Sequence, residues 1–236
     1  VKDRESALKS LAAALGMLLI VPALMLYAFD RGALDRGYHQ ALYAQLGSAA
    51  AAGVGEATLG KIGDMLVDYL NGARDDLNMT AAVNGAEQRV FNEREIAHMA
   101  DVKALFVLER RVAAACFGLG IVLLAAGLIG KGWARRLKRA GLTGQIFWLA
   151  LLLFAAVWAA ADFDGAFRRF HGLLFSNDLW LLNPETDLMI RMLPEQFFMS
   201  VALRAAEWML AGQLLLAALW GLPVHLARRA ARKEGA

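Results

Sequence analysis

Four stretches of this chain contain no Asp, Glu, Lys or Arg: Ser10–Phe29, Val112–Gly130, Ala140–Ala161 and Trp208–Ala227. Each is close to the roughly 20 residues a helix needs to cross a bilayer. In lipid the backbone must satisfy its own hydrogen bonds, so only helices and closed barrels cross. These runs lack a barrel strand's alternation. The expected fold class is therefore an all-α membrane protein with four transmembrane helices and a mostly helical cap. A hydrophobic content of 58% and a mean hydropathy of +0.44 agree.

The basic residues orient these spans. The N-terminal tail, the loop "KGWARRLKR" and the C-terminal tail hold 12 of the 25 Lys and Arg, but only three acids, Asp3, Glu5 and Glu234. With four spans they share one side, which the positive-inside rule makes cytoplasmic. The multi-pass chain is thus expected with both termini on the cytoplasmic side of its membrane. The net charge of +3 needs no nucleic-acid partner, since the basic residues hug membrane ends. The first run is long for a signal peptide and reads as an anchor, with Pro22 a tolerated kink. Cys116 reads as an apolar packing residue inside the second span.

The expected order is transmembrane helix 1 over 8–29, an extracytoplasmic cap over 30–111 and helix 2 over 112–130. A cytoplasmic loop over 131–141 leads to helix 3 over 142–161. Residues 162–199 complete the cap, helix 4 covers 200–224 and the cytoplasmic tail covers 225–236.

The first outer segment reads as helical fragments with breaks. "LGKIGDMLVDYL" puts Ile62, Met65, Leu66 and Leu70 at helical spacing, and Gly72 is a helix stop. His39, beside Tyr38, reads as structural or solvent-exposed. In "FNEREIAHMADVKALF" (91–106), Asn92 and Glu95 have capping-box spacing. The helix they open has an apolar stripe, Ile96, Met99, Val102 and Phe106, and an adjacent stripe with His98, Asp101 and Leu105. Asp101 lies where a carboxylate can orient an imidazole or balance its charge. A solvated polar face is the competing reading. The cluster Glu109, Arg110, Arg111 marks the interface, where this helix is expected to bend or, preferably, to lie flat with its apolar stripe on the membrane.

The second outer segment is rich in Trp and Phe, which suits an interfacial belt. Asn177-Asp178 and Asn183-Pro184 form turns, with "LWLL" between them as a short strand or a membrane-dipping turn. Asp187 and Arg191 fall one turn apart and are expected to pair. Pro194 suits the first turn of the last helix. Arg204 and Glu207 are an interfacial ion pair or line the site from below. His225 reads as interfacial, beside Arg228.

Two histidines, His98 and His171, are thus placed to meet at one interface, and histidine suits proton transfer near neutral pH. Ser176 has no nucleophile-elbow glycines. A zinc site from His98, His171 and Asp101 or Asp187 lacks any familiar ligand spacing, so no metal and no cofactor is expected. Residue pattern alone leaves three readings: acid–base enzyme, lipid- or protein-binding module, and transporter. The last is disfavoured by only four spans and no internal repeat.

The blocks "EIAHMADVKALF" (95–106) and "FHGLLFSNDLWLLNPETDLMIRMLPEQFF" (170–198), with the four-span layout and large first outer loop, resemble the bacterial lipoprotein intramolecular transacylase (Lit) family. The resemblance implies an acyltransferase with a diacylated lipoprotein as substrate and membrane lipids as surroundings. It would move the sn-2 acyl chain from a diacylglyceryl-cysteine to the cysteine α-amino group. The two catalytic histidines it implies fall at His98 and His171. For such a reaction Phe167, Phe170, Phe175, Trp180, Phe197 and Phe198 would wall the pocket. Asn177 would give a polar or oxyanion contact, and Asp101 and Asp187 would support the histidines. A monomer is expected.

Overall fold

The structure, a computed structural model, describes residues 2–234. The side chains of Lys2, Arg228, Arg232, Lys233 and Glu234, part of the charge argument above, lie outside the described residues. The regular elements of the described chain are helices, apart from one hairpin. Its helices are α1 (Lys2–Ala33), α2 (Arg36–Leu46), α3 (Ser48–Ala52), α4 (Glu56–Asn71), α5 (Glu93–Leu128), α6 (Trp133–Ala161), α7 (Phe163–Leu174), α8 (Leu188–Met192) and α9 (Glu195–Glu234). Strands β1 (Thr80–Val83) and β2 (Ala86–Arg89) lie between α4 and α5. Four helices are long and apolar enough to cross a membrane: α1, α5, α6 and α9. The four-span, all-α expectation holds.

The chain divides into two compact units. The first holds the described residues up to Phe29, then Glu109–Val157 and those from Ala206 onward. Here α1 is the inner helix: 44% of its most apolar window is buried, against 11–17% for the other three spans. Lipid tails are as apolar as leucine, so hydrophobicity alone does not pull spans together. Close backbone approach and interhelical hydrogen bonds do. Both are present. A Cβ on Gly16 would fall 2.6 Å from the Leu124 backbone nitrogen, and one on Gly144 would fall 3.1 Å from Met17. The Trp148 indole N–H donates to Leu18 O (3.0 Å), and the Trp220 indole N–H donates to the Gln145 side-chain oxygen (3.0 Å). Arg136 closes the α5–α6 turn. Its guanidinium donates to the carbonyls of Gly127, Ile129 and Lys131, which the helix end leaves unpaired.

The second unit holds Asp30–Leu108 and Trp158–Ala205. Its core is the buried face of α4, including the expected Ile62, Met65, Leu66 and Leu70, packed with Phe91, Met99, Met189 and Met192. Ile96, Val102 and Phe106 pack against this core, as the apolar stripe requires. Gly72 ends α4 in the left-handed region (φ 76°). The small-residue stretch 47–60 supplies α3 between left-handed Gly47 and Gly53.

Two expectations change. Residues 30–91 are not all helical fragments, because "TAAVNGAEQR" folds as an antiparallel hairpin pairing Thr80 with Arg89. Asn84 (φ 53°) and Gly85 (φ 82°) form its two-residue turn, and Asn-Gly suits such turns because both residues tolerate positive φ. The Asn84 N–H donates to Gly53 O at 2.7 Å, docking the turn on the end of α3. The second change is in α5, which runs unbroken through Glu109–Arg111 as one helix, with no helix end separating residues 91–106 from the span.

Candidate functional site

The second unit brings His98 and His171 together with their ring centroids 6.2 Å apart. The two residues come from helices that start for different local reasons. For α5, Asn92 and Glu95 form a reciprocal capping box: the Glu95 N–H donates to Asn92 Oδ1 (3.0 Å), and the Asn92 N–H donates to Glu95 Oε2 (2.8 Å). His98 follows one turn later. For α7, the Asp162 carboxylate caps the helix by accepting from the Gly165 N–H (2.9 Å). His171 sits in the last turn of α7. The 19 residues from Glu93 to Arg111 include eight charged side chains, so the part of α5 that carries His98 is read as outside the hydrocarbon layer.

The hydrogen bond of His171 fixes its chemistry. Its Nδ1 lies 2.8 Å from Phe167 O, one turn earlier on α7. A carbonyl only accepts, so Nδ1 carries the hydrogen and Nε2 keeps its lone pair. His98 differs, because its Nδ1 is buried without a hydrogen-bond partner. Burial pulls the His98 pKa from 6.5 down to about 4, and His171 and Arg94 push the same way against Asp101. Burial also lowers His171, opposed by the hydrogen bond to Phe167. Both rings are therefore neutral at pH 7.

Aromatic side chains enclose this pair. Phe167, Trp180, Phe170 and Phe175 lie with ring centroids 4.0, 5.0, 5.4 and 5.6 Å from His171. Phe175 also meets the His98 ring edge-on at 5.4 Å. Phe198 joins through Phe167 at 5.4 Å. These five expected wall residues are assembled around the histidines. Phe197 is a correction. It is 4% exposed and stacks on Tyr43 (5.4 Å) and His39 (5.2 Å) in the core. Helical spacing explains the split, since adjacent residues 197 and 198 point about 100° apart.

The polar residues divide in the same way. Asp101 accepts from the Asn177 side-chain N–H at 2.9 Å and acts on His98 through its charge. Asn177 also accepts from the Leu179 N–H (3.1 Å), so it links α5 to the loop after α7. Asp187 is a second correction. Its carboxylate accepts from the Asn92 amide (2.8 Å), the Asn183 N–H (2.7 Å) and the Thr186 hydroxyl (2.9 Å). Burial opposes its charge, but these donors together hold its pKa below the usual value. Asn183 and Thr186 are local donors, while Asn92 lies 95 residues away at the start of α5, so Asp187 anchors its loop to the N-terminus of that helix. Arg191 donates to the Asp187 backbone carbonyl, not its carboxylate. "LWLL" is a turn, with the Leu181 N–H donating to Asp178 O (3.1 Å).

Two contributors have long-range partners that the sequence does not reveal. Glu95 is only 1% exposed, and its second oxygen accepts from the Met189 N–H at 2.6 Å, tying α5 to α8. Arg94 donates to Asp178 O. Capping spacing marks Glu95 as a cap, but nothing in the sequence marks its partner 94 residues away. Among the remaining expectations, His39 is structural: its Nε2 bonds Ala33 O at 2.8 Å. Arg204 pairs with Asp35 (3.3 Å). His225 is exposed. Among the described residues, no group of three or more His, Cys, Asp or Glu is placed to hold a metal ion.

Comparison with known proteins adds to this geometry. A family model described as lipoprotein intramolecular transacylase Lit matches residues 14–198. The structure is similar to the in meso structure of the membrane integral lipoprotein intramolecular transacylase Lit from Bacillus cereus. The TM-score is 0.75 at 24% identity, covering 96% of this chain and 99% of that one. Two structures of that protein with a histidine replaced by arginine or by alanine match with a TM-score of 0.73 at 24% identity. Both cover 97% of this chain, and 96% and 97% of theirs. No curated protein matches.

Proposed function

Because this chain belongs to the lipoprotein intramolecular transacylase (Lit) family, we propose that it moves the sn-2 acyl chain of a diacylglyceryl-cysteine lipoprotein to the cysteine α-amino group. The observation that carries this reading is the pair His98 and His171, 6.2 Å apart and walled by aromatics. The amine and the ester belong to one substrate, so no enzyme nucleophile is needed. The pocket folds the substrate so that nitrogen and carbonyl meet.

The amine nitrogen attacks the sn-2 carbonyl carbon and loses a proton. The C–N bond forms, the C–O bond to glycerol breaks, and the glyceryl oxygen gains a proton. His171 carries that proton. Its Nε2 lone pair is free because Nδ1–H is held by Phe167 O, so it accepts from the amine and then donates to the departing oxygen. His98 stays neutral, since burial and a neighbouring imidazolium both oppose a second charge. Its N–H then donates a hydrogen bond to the developing oxyanion. Asp101, bonded to Asn177, orients this side of the site. Phe167, Phe170, Phe175, Trp180 and Phe198 keep out water, which would hydrolyse the ester.

The basic segments support a cytoplasmic-membrane protein with both termini inside and residues 30–111 and 162–199 forming an extracytoplasmic cap. It acts as a monomer among membrane lipids, without a cofactor. The test is mass spectrometry of a synthetic diacylated lipopeptide after incubation with the purified protein. The expected product has unchanged mass and a fragment with an N-linked acyl chain. If His98→Ala and His171→Ala both leave the conversion intact, the assignment fails.

A further inference from the structure

We infer that α7 lies in the membrane interface as an in-plane helix, and that its exposed edge, Phe170, Leu173 and Leu174, is the port through which a lipid acyl chain reaches His171. The second half of this inference rests on the transacylase reading; the first does not.

Three observations place α7 against lipid. First, α7 starts at Phe163, two residues after α6 ends at Ala161, and residues 140–161 are a charge-free span. So short a connection holds the start of α7 within a few ångströms of the span's end, on the order of 3.5 Å per residue. Second, α7 turns back instead of extending the span. Asp162 adopts φ −155° and ψ 84°, and the Arg169 guanidinium lies 5.8 Å from the Trp158 ring centroid, in the last turn of α6. Trp158 is 42% exposed at a span's end, as belt tryptophans are. Third, α7 is amphipathic, and one apolar edge is bare. Phe170 is 54% exposed, Leu173 83% and Leu174 40%. Arg168 and Arg169 are also exposed, with Asp164 and Asp162 as partners. Apolar side chains beside arginines that reach headgroup phosphates are what an interfacial helix presents to a bilayer.

The bilayer is the occupant this edge fits, and its position gives it a task. Phe170 is more than half exposed, yet its ring meets His171 edge-on at 5.4 Å. One side chain thus touches both the bare edge and the buried imidazole. A chain sliding over Leu173 and Leu174 reaches Phe170, and beyond it His171, without crossing the polar headgroup layer.

The test has two arms. In a Cys116→Ala background, a nitrobenzoxadiazole probe is placed at Leu173→Cys and, as control, at exposed Lys61→Cys. Each protein is reconstituted in phosphatidylcholine–phosphatidylglycerol vesicles with brominated acyl chains. Strong quenching at 173 and none at 61 is expected; an unquenched probe at 173 overturns the membrane placement, whatever the enzyme does. The second arm measures Leu173→Asp/Leu174→Asp with a long-chain and a water-soluble short-chain diacylated peptide. The KM for the long-chain peptide should rise about tenfold, by the loss of roughly one leucine-sized apolar contact. Its kcat, and both constants for the short-chain peptide, should stay within about twofold. Unchanged KM for the long chain, or equal loss on both peptides, overturns the port. If the wild-type protein converts neither peptide, the transacylase reading falls and the port with it, while the quenching arm still decides the placement of α7.

Discussion

His39 and the pair His98–His171 occupy the same unit, and each of the three is 8% exposed. Burial lowers the pKa of all three. Their neighbours differ. His39 uses Nε2 to bond Ala33 O at the end of α1, and its ring packs between Tyr43 and Phe197. It ties a helix end to the core. His171 uses Nδ1 in a similar backbone bond but faces a second imidazole, and His98 keeps a buried nitrogen unpaired. Burial and a lowered pKa therefore do not identify a site here. What sets the pair apart is an arrangement in which ring nitrogens are held in place with no protein partner of their own.

That contrast is open to direct tests. The largest effect expected is on turnover: His171→Ala should lower kcat by about 10³-fold and His98→Ala by about 10²-fold, the usual range for a lost acid–base or oxyanion group. His39→Ala should leave kcat within a few-fold and instead cost about 2 kcal/mol of stability, measured by urea unfolding in detergent. Equal loss of turnover from all three, with stability intact, would erase the distinction.

Next is pH. A histidine with a depressed folded pKa binds its proton more readily when unfolded. Stability therefore falls as pH drops from 6.5 toward the folded value, about 4 for His98, and is fully present above 6.5. His98→Gln should flatten that part of the unfolding profile. Catalysis should show a separate limb near pH 8, set by the substrate's α-amine. A limb at pH 6.5 that persists in both histidine variants would show that neither ring is the base.

Glu95→Ala should cost on the order of 1–3 kcal/mol, because it removes the capping box and orphans the Met189 N–H. Glu95→Gln should recover part of that, since an amide oxygen still accepts. The smallest effect is expected from Asp101→Asn. It removes the charge that raises His98 but leaves an acceptor for Asn177, so turnover should fall less than tenfold while the His98 pKa, followed by NMR, moves further down.

Much of this molecule is written in local pattern. The spans are charge-free runs, the opening of α5 is the Asn92–Glu95 spacing, the end of α4 is Gly72, and the α4 core face follows helical period. The hairpin was missed despite Asn84-Gly85, because its strands are short and alanine-rich, with weak β propensity to announce them. Phe197 and Phe198 are identical in kind and adjacent, and only their rotation about α9 sends one into the core and the other to the site.

The sequence by itself determined that the chain crosses a membrane with four helices, and it marked His98 and His171 as the histidines beside polar and aromatic neighbours. Hydropathy and helical period are properties of consecutive residues, so they can be read without a fold. Only the tertiary structure decided that two rings 73 residues apart share one aromatic enclosure, that Asp187 ties its loop to Asn92 while Asp101 lies by His98 and Asn177, and that a buried Glu95 holds α5 to α8. These partnerships are set by how helices pack across long stretches of chain, and no local pattern encodes which side chain lies opposite.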